Sequence, residues 1–502
     1  MHVARLTGQL GVGGDGGDAG PGEAVDGRDA LVLGAEIVVL DAVPPPFGLA
    51  RHGVSPLHPE VKNCIAQFQE SMEQDVNPRG IRYRGNVRVG GSGDDGVHVS
   101  LDELLERFDA VVLAVGAAQD NVPSRALVDL VDGNGDVCPA RAAADGGSGI
   151  ISARRLVEFY NGQPGADVPD PLRPFADGRQ AEPLRDVVIV GNGNVALDVA
   201  QLLTSPRDVL AATDTTAAAV DLLPRVLARD ATIRVLGRRG LLEASFTIKE
   251  LRELVRGGAG GDVRVRVAGG GLDLSDEERA FLKGARAKRR IVELLEKASG
   301  GDAEHEGRHV ELHFARAPLA MRAADDGSGR VASVETSIVS LEGEPGARRA
   351  VTTDETESFP ADLVVLSVGY RTPPIGTGVP YDEKRGVVPT EGGKGGRVVG
   401  GGGRLFATGW CATGPQGVIL STMMGAKGVA ELLVHDVRNM GVGERDGLAA
   451  LDDLLAARGV AVVNEADWMA IDEEEVLRGA GTKPREKIVD VDEAVAVAKK
   501  HR

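Results

Sequence analysis

The chain has 502 residues with 42% hydrophobic and 26% charged content, enough apolar material for two to four folded domains and too much for wholesale disorder. Its 57 Lys+Arg against 75 Asp+Glu leave a net charge of -18, which argues against a nucleic-acid partner because phosphate contacts demand clustered positive charge. The three cysteines, Cys64, Cys138 and Cys411, lie far apart and never as C-x-x-C, so a disulfide framework, a zinc ribbon or an iron–sulfur cluster held by this chain is not expected.

Glycine is the compositional outlier, with 69 residues, many in tracts such as GVGGDGGDAG and GGKGGRVVGGGG. The first thirty residues carry Arg5 and Arg28 against five acids, the reverse of a mitochondrial transit peptide. Leu405–Ala426 is uncharged and long enough to span a bilayer, but its Gly, Pro, Thr and Gln fit a buried turn better. No integral membrane segment is expected.

In chain order, Ala35–Asp41 (AEIVVLD) reads as a buried strand ending in an acid, and Phe108–Gly116 (FDAVVLAVG) as a second. Asp186–Val190 (DVVIV) is a third, followed at once by GNGNVALDVAQLL, a glycine turn opening a helix. Thr232–Leu236, Ala361–Gly369 and Arg404–Thr408 complete the strand set. Apolar, β-branched runs alternating with helical patterns predict an α/β fold with parallel sheets. Val131–Gly149 and Arg256–Gly271, rich in Gly, Ala and Asp, read as surface excursions.

The sharpest chemical signal is DVVIV-GNGNVA-LDVAQLL. Gly191 permits a tight strand-to-helix turn, Gly193 lets the backbone approach a pyrophosphate, and Ala196 fills the third small position where helix and strand pack closely. The helix N-terminus then offers unpaired N–H groups to phosphate. The next strand does not end in the acid that binds an NAD ribose. It ends in Arg238-Arg239, suited to a 2′-phosphate, which points to NADPH.

With their neighbours these residues resemble the adrenodoxin reductase family, the FAD-containing NADPH–ferredoxin reductases. The resemblance is carried in family order by PFGLARHGVSPLHPEVKN, GNVRVG, VVIVGNGNVALDVAQLLTSP, VLGRRGLLEASFTIKELREL, LSVGYRTPPI, VPYDEKRGVVP, FATGW, GPQGVI and GTKPREK. It implies two Rossmann-like dinucleotide-binding domains of the glutathione-reductase type. An FAD domain would be built from 1–116 and 367–502, with an NADPH domain, 117–366, inserted between.

Residue by residue, the resemblance assigns Gly191, Asn192, Gly193, Asn194 and Val195 to the NADPH pyrophosphate. Arg238, Arg239 and Glu250 fall at the 2′-phosphate end. Asp41 takes the FAD ribose position, where relatives more often carry Glu. Leu49 and Val87 would pack against the flavin, and Trp410, Gly417, Val418 and Ile419 would flank it, with Gly417 also near the nicotinamide. His58 falls where the family has a histidine beside the flavin, implying a tuning or protonation role.

Without paired cysteines the electron acceptor must be external. Lys283, Arg286, Lys288, Arg289 and Arg290, in KGARAKRRIVELLEK, correspond to the family's ferredoxin-binding segment and could steer an acidic [2Fe-2S] ferredoxin of the adrenodoxin type. The family further implies the mitochondrial matrix, or a bacterial cytoplasm, and peripheral membrane association. A diaphorase or quinone reductase using small acceptors is the alternative within the same class.

The first thirty-four residues depart from the family. Relatives begin with a strand, G-x-G-x-x-G and a helix that bind the FAD pyrophosphate. Gly11, Gly13 and Gly16 match that pattern in the wrong context: no β-branched strand precedes them, and Gly17, Gly20, Pro21 and Gly22 oppose a helix. The match reads as accidental. Either a divergent loop replaces the turn or these residues are not the natural start, and a flavin-free NADPH-binding protein is the alternative of a different class. Smaller departures are Leu57, where relatives carry Asp, and Cys411-Ala412-Thr413, where they carry basic residues.

Overall fold

A computed structural model describes residues 36–70, 72, 81–90, 96–121, 148–178, 182–256, 263–300, 306–376, 378–439 and 445–500, and the backbone strands at 130–131 and 137–138. In chain order the strands used below are β1 (Ile37–Leu40), β2 (Ile81–Arg84), β3 (Val111–Leu113), β4 (Ile150–Ser152), β5 (Leu184–Val190), β6 (Leu227–Leu236), β7 (Val263–Val267), β8 (Arg308–His313), β9 (Leu363–Leu366) and β10 (Leu405–Ala407). The helices are α1 (Gly48–His52), α2 (Ala153–Asn161), α3 (Asn194–Thr204), α4 (Ile248–Val255), α5 (Arg286–Ser299), α6 (Ile419–Asn439) and α7 (Glu465–Gly479).

The apolar runs of the middle of the chain build one six-stranded sheet in the order β7-β8-β6-β5-β9-β4, every pair parallel. The side-chain period of two sorts the VVIV of β5 between two cores. Val187 and Ile189 face the helices with Ile233 and Val365, while Val188 and Val190 face a second layer with Leu236, Met321 and Phe359. That second layer is an antiparallel sheet of Arg316–Ala323, Val331–Glu342 and Arg349–Pro360. Burial on both faces is why β5 and β9 read as unbroken apolar runs rather than alternating ones.

The flanking part of the chain is built differently. β1 pairs in parallel with β2, Ile37 against Ile81, and β3 pairs in parallel with β10, which is edged by Gly396–Arg397. Among the described residues these are two separate small sheets. The backbone passes between the two halves through Gln119–Asp120 and Tyr370–Arg371, which pair antiparallel with each other. The uncharged stretch from Leu405 divides into β10, a short helix and the start of α6. No helix among the described residues is long and apolar enough to cross a membrane.

One sequence expectation is corrected. Arg256–Gly271, read as a surface excursion, contains β7, which forms the edge of the large sheet with Val263 and Val265 buried. Its VRVRV alternation is that of a strand with one face on the core and one in water.

Candidate functional site

The glycine turn after β5 is held in the shape that a dinucleotide requires. Gly191 has φ +119 and donates its N–H to the Leu236 carbonyl at 2.8 Å. A Cβ there would meet the Ser367 carbonyl oxygen at 2.1 Å, so only glycine fits. Gly193 caps α3 with no side-chain hydrogen bond, leaving the first-turn N–H groups for phosphate. Beside it the Asn192 Nδ2 is buried with no hydrogen-bond partner, a donor awaiting an acceptor. Asn194 accepts from the Thr247 N–H at 2.8 Å, tying the helix start to the loop before α4. Val195 packs on the main core and Ala196 is fully buried.

Arg238 and Arg239 are exposed at the end of β6, directly after the Leu236 carbonyl that holds Gly191. Two free-swinging guanidiniums beside a helix N-terminus suit the phosphates of NADPH. Glu250 accepts from the Thr247 hydroxyl in the first turn of α4. Its carboxylate fixes that loop and offers no donor to phosphate.

His58 is buried, with Nε2 2.9 Å from Asp198 Oδ1 of α3 and Nδ1 2.9 Å from Glu253 Oε2 of α4. Burial pulls its pKa down, but the hydrogen bond and charge of Asp198, followed by Glu253, outweigh this and raise it. The ring is hydrogen-bonded through Nε2 to Asp198 and lies against Glu253, so it joins the HPEVKN segment to both helices of the nucleotide turn. Asp198 and Glu253 were not legible from local sequence, because only the fold brings them to His58.

A cavity of about 490 Å3 lies in the flanking half. All of β1 and all of β3 wall it, together with Asp41, Leu49, Phe47, Trp410, Ile419 and Thr422. The Asp41 carboxyl is pushed up to about 6 by burial, partly offset by the Val43 N–H. Trp410 stacks on Tyr370 at 6.4 Å and 28°. An acid at a strand end, an apolar bay and an aromatic wall fit the ribose and ring portions of FAD.

Three of the expected flavin neighbours are not among the walls of the cavity. Val87 is 1% exposed and packs with Leu104, Leu451 and Leu455; Val89, two residues on, lines the cavity instead. Gly417 and Val418 stand outside the cavity wall, Val418 exposed and its N–H bound to the Ser421 hydroxyl. The G-x-G-x-x-G of Gly11, Gly13 and Gly16 lies outside the described residues. Cys411 is buried against the Leu113 and Thr408 carbonyls, its thiol pushed up to about 11 by burial, which unsuits it for redox exchange.

The basic segment spans the end of one helix and the start of α5. Lys283, Arg286, Arg289 and Arg290 are exposed, while Lys288 turns inward and donates to the Ala244 carbonyl at 2.6 Å. Burial lowers its pKa, Glu243 raises it and Arg239 lowers it further, and the hydrogen bond to Ala244 keeps the ammonium off the open patch.

A parallel sheet with a dinucleotide turn, joined to a second apolar bay with a ribose-type acid, defines an oxidoreductase of the two-dinucleotide class. Human mitochondrial NADPH:adrenodoxin oxidoreductase is 37% identical over 473 residues, 91% of this chain and 86% of that protein. NADPH-ferredoxin reductase FprA of Mycobacterium tuberculosis is 32% identical over 502 residues, covering 95% and 94%. The solved structure of Mycobacterium tuberculosis FprA in complex with NADPH matches with a TM-score of 0.78 at 29% identity, covering 99% of this chain and 96% of that one. No family model matches the chain. The chain belongs to the adrenodoxin reductase family, the FAD-dependent enzymes that move electrons between NADPH and ferredoxins.

Proposed function

We propose that this chain takes reducing equivalents from NADPH and passes single electrons to a small acidic [2Fe-2S] ferredoxin. The observation that carries this reading is the glycine turn with its orphaned Asn192 amide and the Arg238-Arg239 pair, set in a chain 37% identical to NADPH:adrenodoxin oxidoreductase. Bound FAD supplies a group that accepts electrons in pairs and gives them up one at a time. The chain's own part is binding and exclusion. Arg238 and Arg239 select the 2′-phosphate, Gly191 to Val195 seat the pyrophosphate, and Asp41 orients a ribose. Leu49, Trp410 and Ile419 line the bay, and His58 ties the HPEVKN segment to Asp198 of the nucleotide helix.

Residues 117–366 are proposed as the NADPH domain, with 1–116 and 367–502 as the two segments of the FAD domain. The antiparallel pairing of the two connecting strands supports those borders. Exposed Lys283, Arg286, Arg289 and Arg290 are proposed to meet the ferredoxin; the mitochondrial relatives support a mitochondrial location, and the Mycobacterium relative supports the alternative of a bacterial cytoplasm.

The test is a visible spectrum after incubation with FAD, then NADPH without oxygen. A flavin band that bleaches, with electrons reaching ferredoxin faster than small dyes, is the expected result; dye or quinone reduction without ferredoxin reduction would make the chain a diaphorase. A second reading, a flavin-free NADPH-binding protein, rests on the departure of the first thirty-four residues from the family's FAD-pyrophosphate pattern. A protein that stays colourless while binding NADPH would establish it.

A further inference from the structure

The GTKPREK segment, Gly481–Lys487, belongs to the family pattern, yet none of its residues walls the cavity. Its side chains reach into the other half of the molecule. Lys487 Nζ, on a side chain 1% exposed, lies 2.8 Å from Asp214 Oδ2 and donates to the Asn161 carbonyl at 2.8 Å and the Arg51 carbonyl at 3.3 Å. Lys62, from HPEVKN, donates to both Asp214 oxygens at 2.8 Å and to Asn161 Oδ1 at 3.1 Å. Glu486 accepts from the Ala217 N–H at 3.0 Å, and Lys483 donates to the Thr215 carbonyl.

These contacts join two sides. Asn161 ends α2, and Asp214 precedes the helix Ala217–Val226; both helices pack on α3, which carries the nucleotide turn. Arg51 belongs to α1, whose Gly48, Leu49 and Ala50 line the flavin cavity, and its guanidinium pairs with Glu475 of α7 at 2.5 Å, both side chains buried. Burial pushes the Asp214 carboxyl up, but Lys487 and Lys62 outweigh it and hold the group below the usual carboxylate range.

The backbone connects the halves only through the paired strands at 119–120 and 370–371 among the described residues, an attachment that defines a hinge without fixing the angle about it. An apolar contact could slide as that angle changed. A buried ammonium with fixed acceptors could not, because each displaced bond would leave a desolvated charge.

We propose that Asp214, Lys62 and Lys487 are positioning residues: they form a buried clasp that sets the NADPH half against the flavin half and so fixes the approach of the nicotinamide to FAD. The clasp rests on the reading above that the two halves exchange electrons.

The test uses the full chain loaded with FAD. In Lys487→Met, anaerobic bleaching of the flavin band by NADPH should slow about tenfold or more, while FAD content, NADP+ affinity and bleaching by dithionite stay within about twofold. An unchanged NADPH rate overturns the proposal, as does a rate that falls only in step with FAD content or NADP+ affinity. Should Lys487→Met not fold, Glu486→Ala removes the outer contact and should slow the same step about threefold, with the same two results overturning it. Hydrogen exchange of the chain without either nucleotide reads the clasp directly. The amides of 213–217 should exchange about tenfold faster in the variant, and equal exchange overturns the proposal. A parent protein that takes up no flavin would sink the proposed function alone, and the exchange result would still decide the clasp.

Discussion

The two halves of this molecule carry nucleotide sites that are written differently in the sequence. In the NADPH half, strand, glycine turn and helix follow one another without interruption from Leu184 to Thr204, and the turn sits at the centre of an unbroken six-stranded parallel sheet. In the flavin half the described strands form two small sheets facing one cavity, and the acid, the apolar walls and the aromatic ring are present around it. The difference shows what a glycine pattern is worth. Gly191, Gly193 and Ala196 make a site because β5 pins one end of the turn and α3 opens at the other. Gly11, Gly13 and Gly16 carry the same spacing without a β-branched run before them or a helix-forming run after.

The comparison breaks most severely at Gly191. Gly191→Val places a branched side chain at φ +119 and against the Ser367 carbonyl. Strain and overpacking together should cost about 3–5 kcal/mol. NADP+ binding, followed by fluorescence quenching, should be lost, and the urea midpoint should fall; retained affinity would show that the turn is not the nucleotide seat. Arg238→Ala with Arg239→Ala should act more narrowly. Two charge-assisted contacts to a 2′-phosphate are worth about 1.5–3 kcal/mol each, so NADPH affinity should fall about a hundredfold or more while NADH affinity barely moves. Equal losses for the two nucleotides would refute the assignment.

The same contrast explains what was legible in the sequence. The buried strands β5 and β9 announce themselves because both faces are covered, and the Arg238-Arg239 pair at the end of β6 follows by position once the turn is read. The antiparallel layer escaped notice since its outer strand, RAVTTDETESFP, is largely exposed and polar along its length. Lys288 sat in a basic run and read as part of it; only the fold of α5 against the Ala244 loop turns it inward. Val87 lies before the short strand Val89–Gly90, and only the fold decides that Val89 rather than Val87 meets the cavity. The clasp was least legible of all, because Lys62, Asp214 and Lys487 are separated by 152 and 273 positions in a chain full of charge.

In the flavin half, Asp41 gives a pH-dependent test. Burial pushes its carboxyl up to about 6 against an ordinary 3.8, which favours the protonated form relative to a carboxyl in water. A ribose that donates hydroxyl hydrogen bonds favours the carboxylate instead, and binding must then release a proton. FAD affinity should therefore strengthen by up to about tenfold per pH unit as pH rises toward 6, and level off above it. In Asp41→Asn the slope should vanish, with weaker affinity at neutral pH; a slope that survives would place the titrating group elsewhere.

The smallest effect belongs to the surface. Arg286→Glu with Arg290→Glu changes exposed side chains at the start of α5, away from the inward-turned Lys288. Exposed charges act on encounter, so the second-order rate of ferredoxin reduction should fall about tenfold at low salt, and the difference should shrink as ionic strength rises. Reduction of an uncharged dye and NADP+ affinity should stay unchanged, because neither needs a docked protein. Extending the change to Lys288 should add a loss of NADPH affinity, since that ammonium sits with Arg239. The basic run would then divide into a docking part and a nucleotide part. A uniform loss across all three assays would instead mean that the segment acts only through the stability of α5.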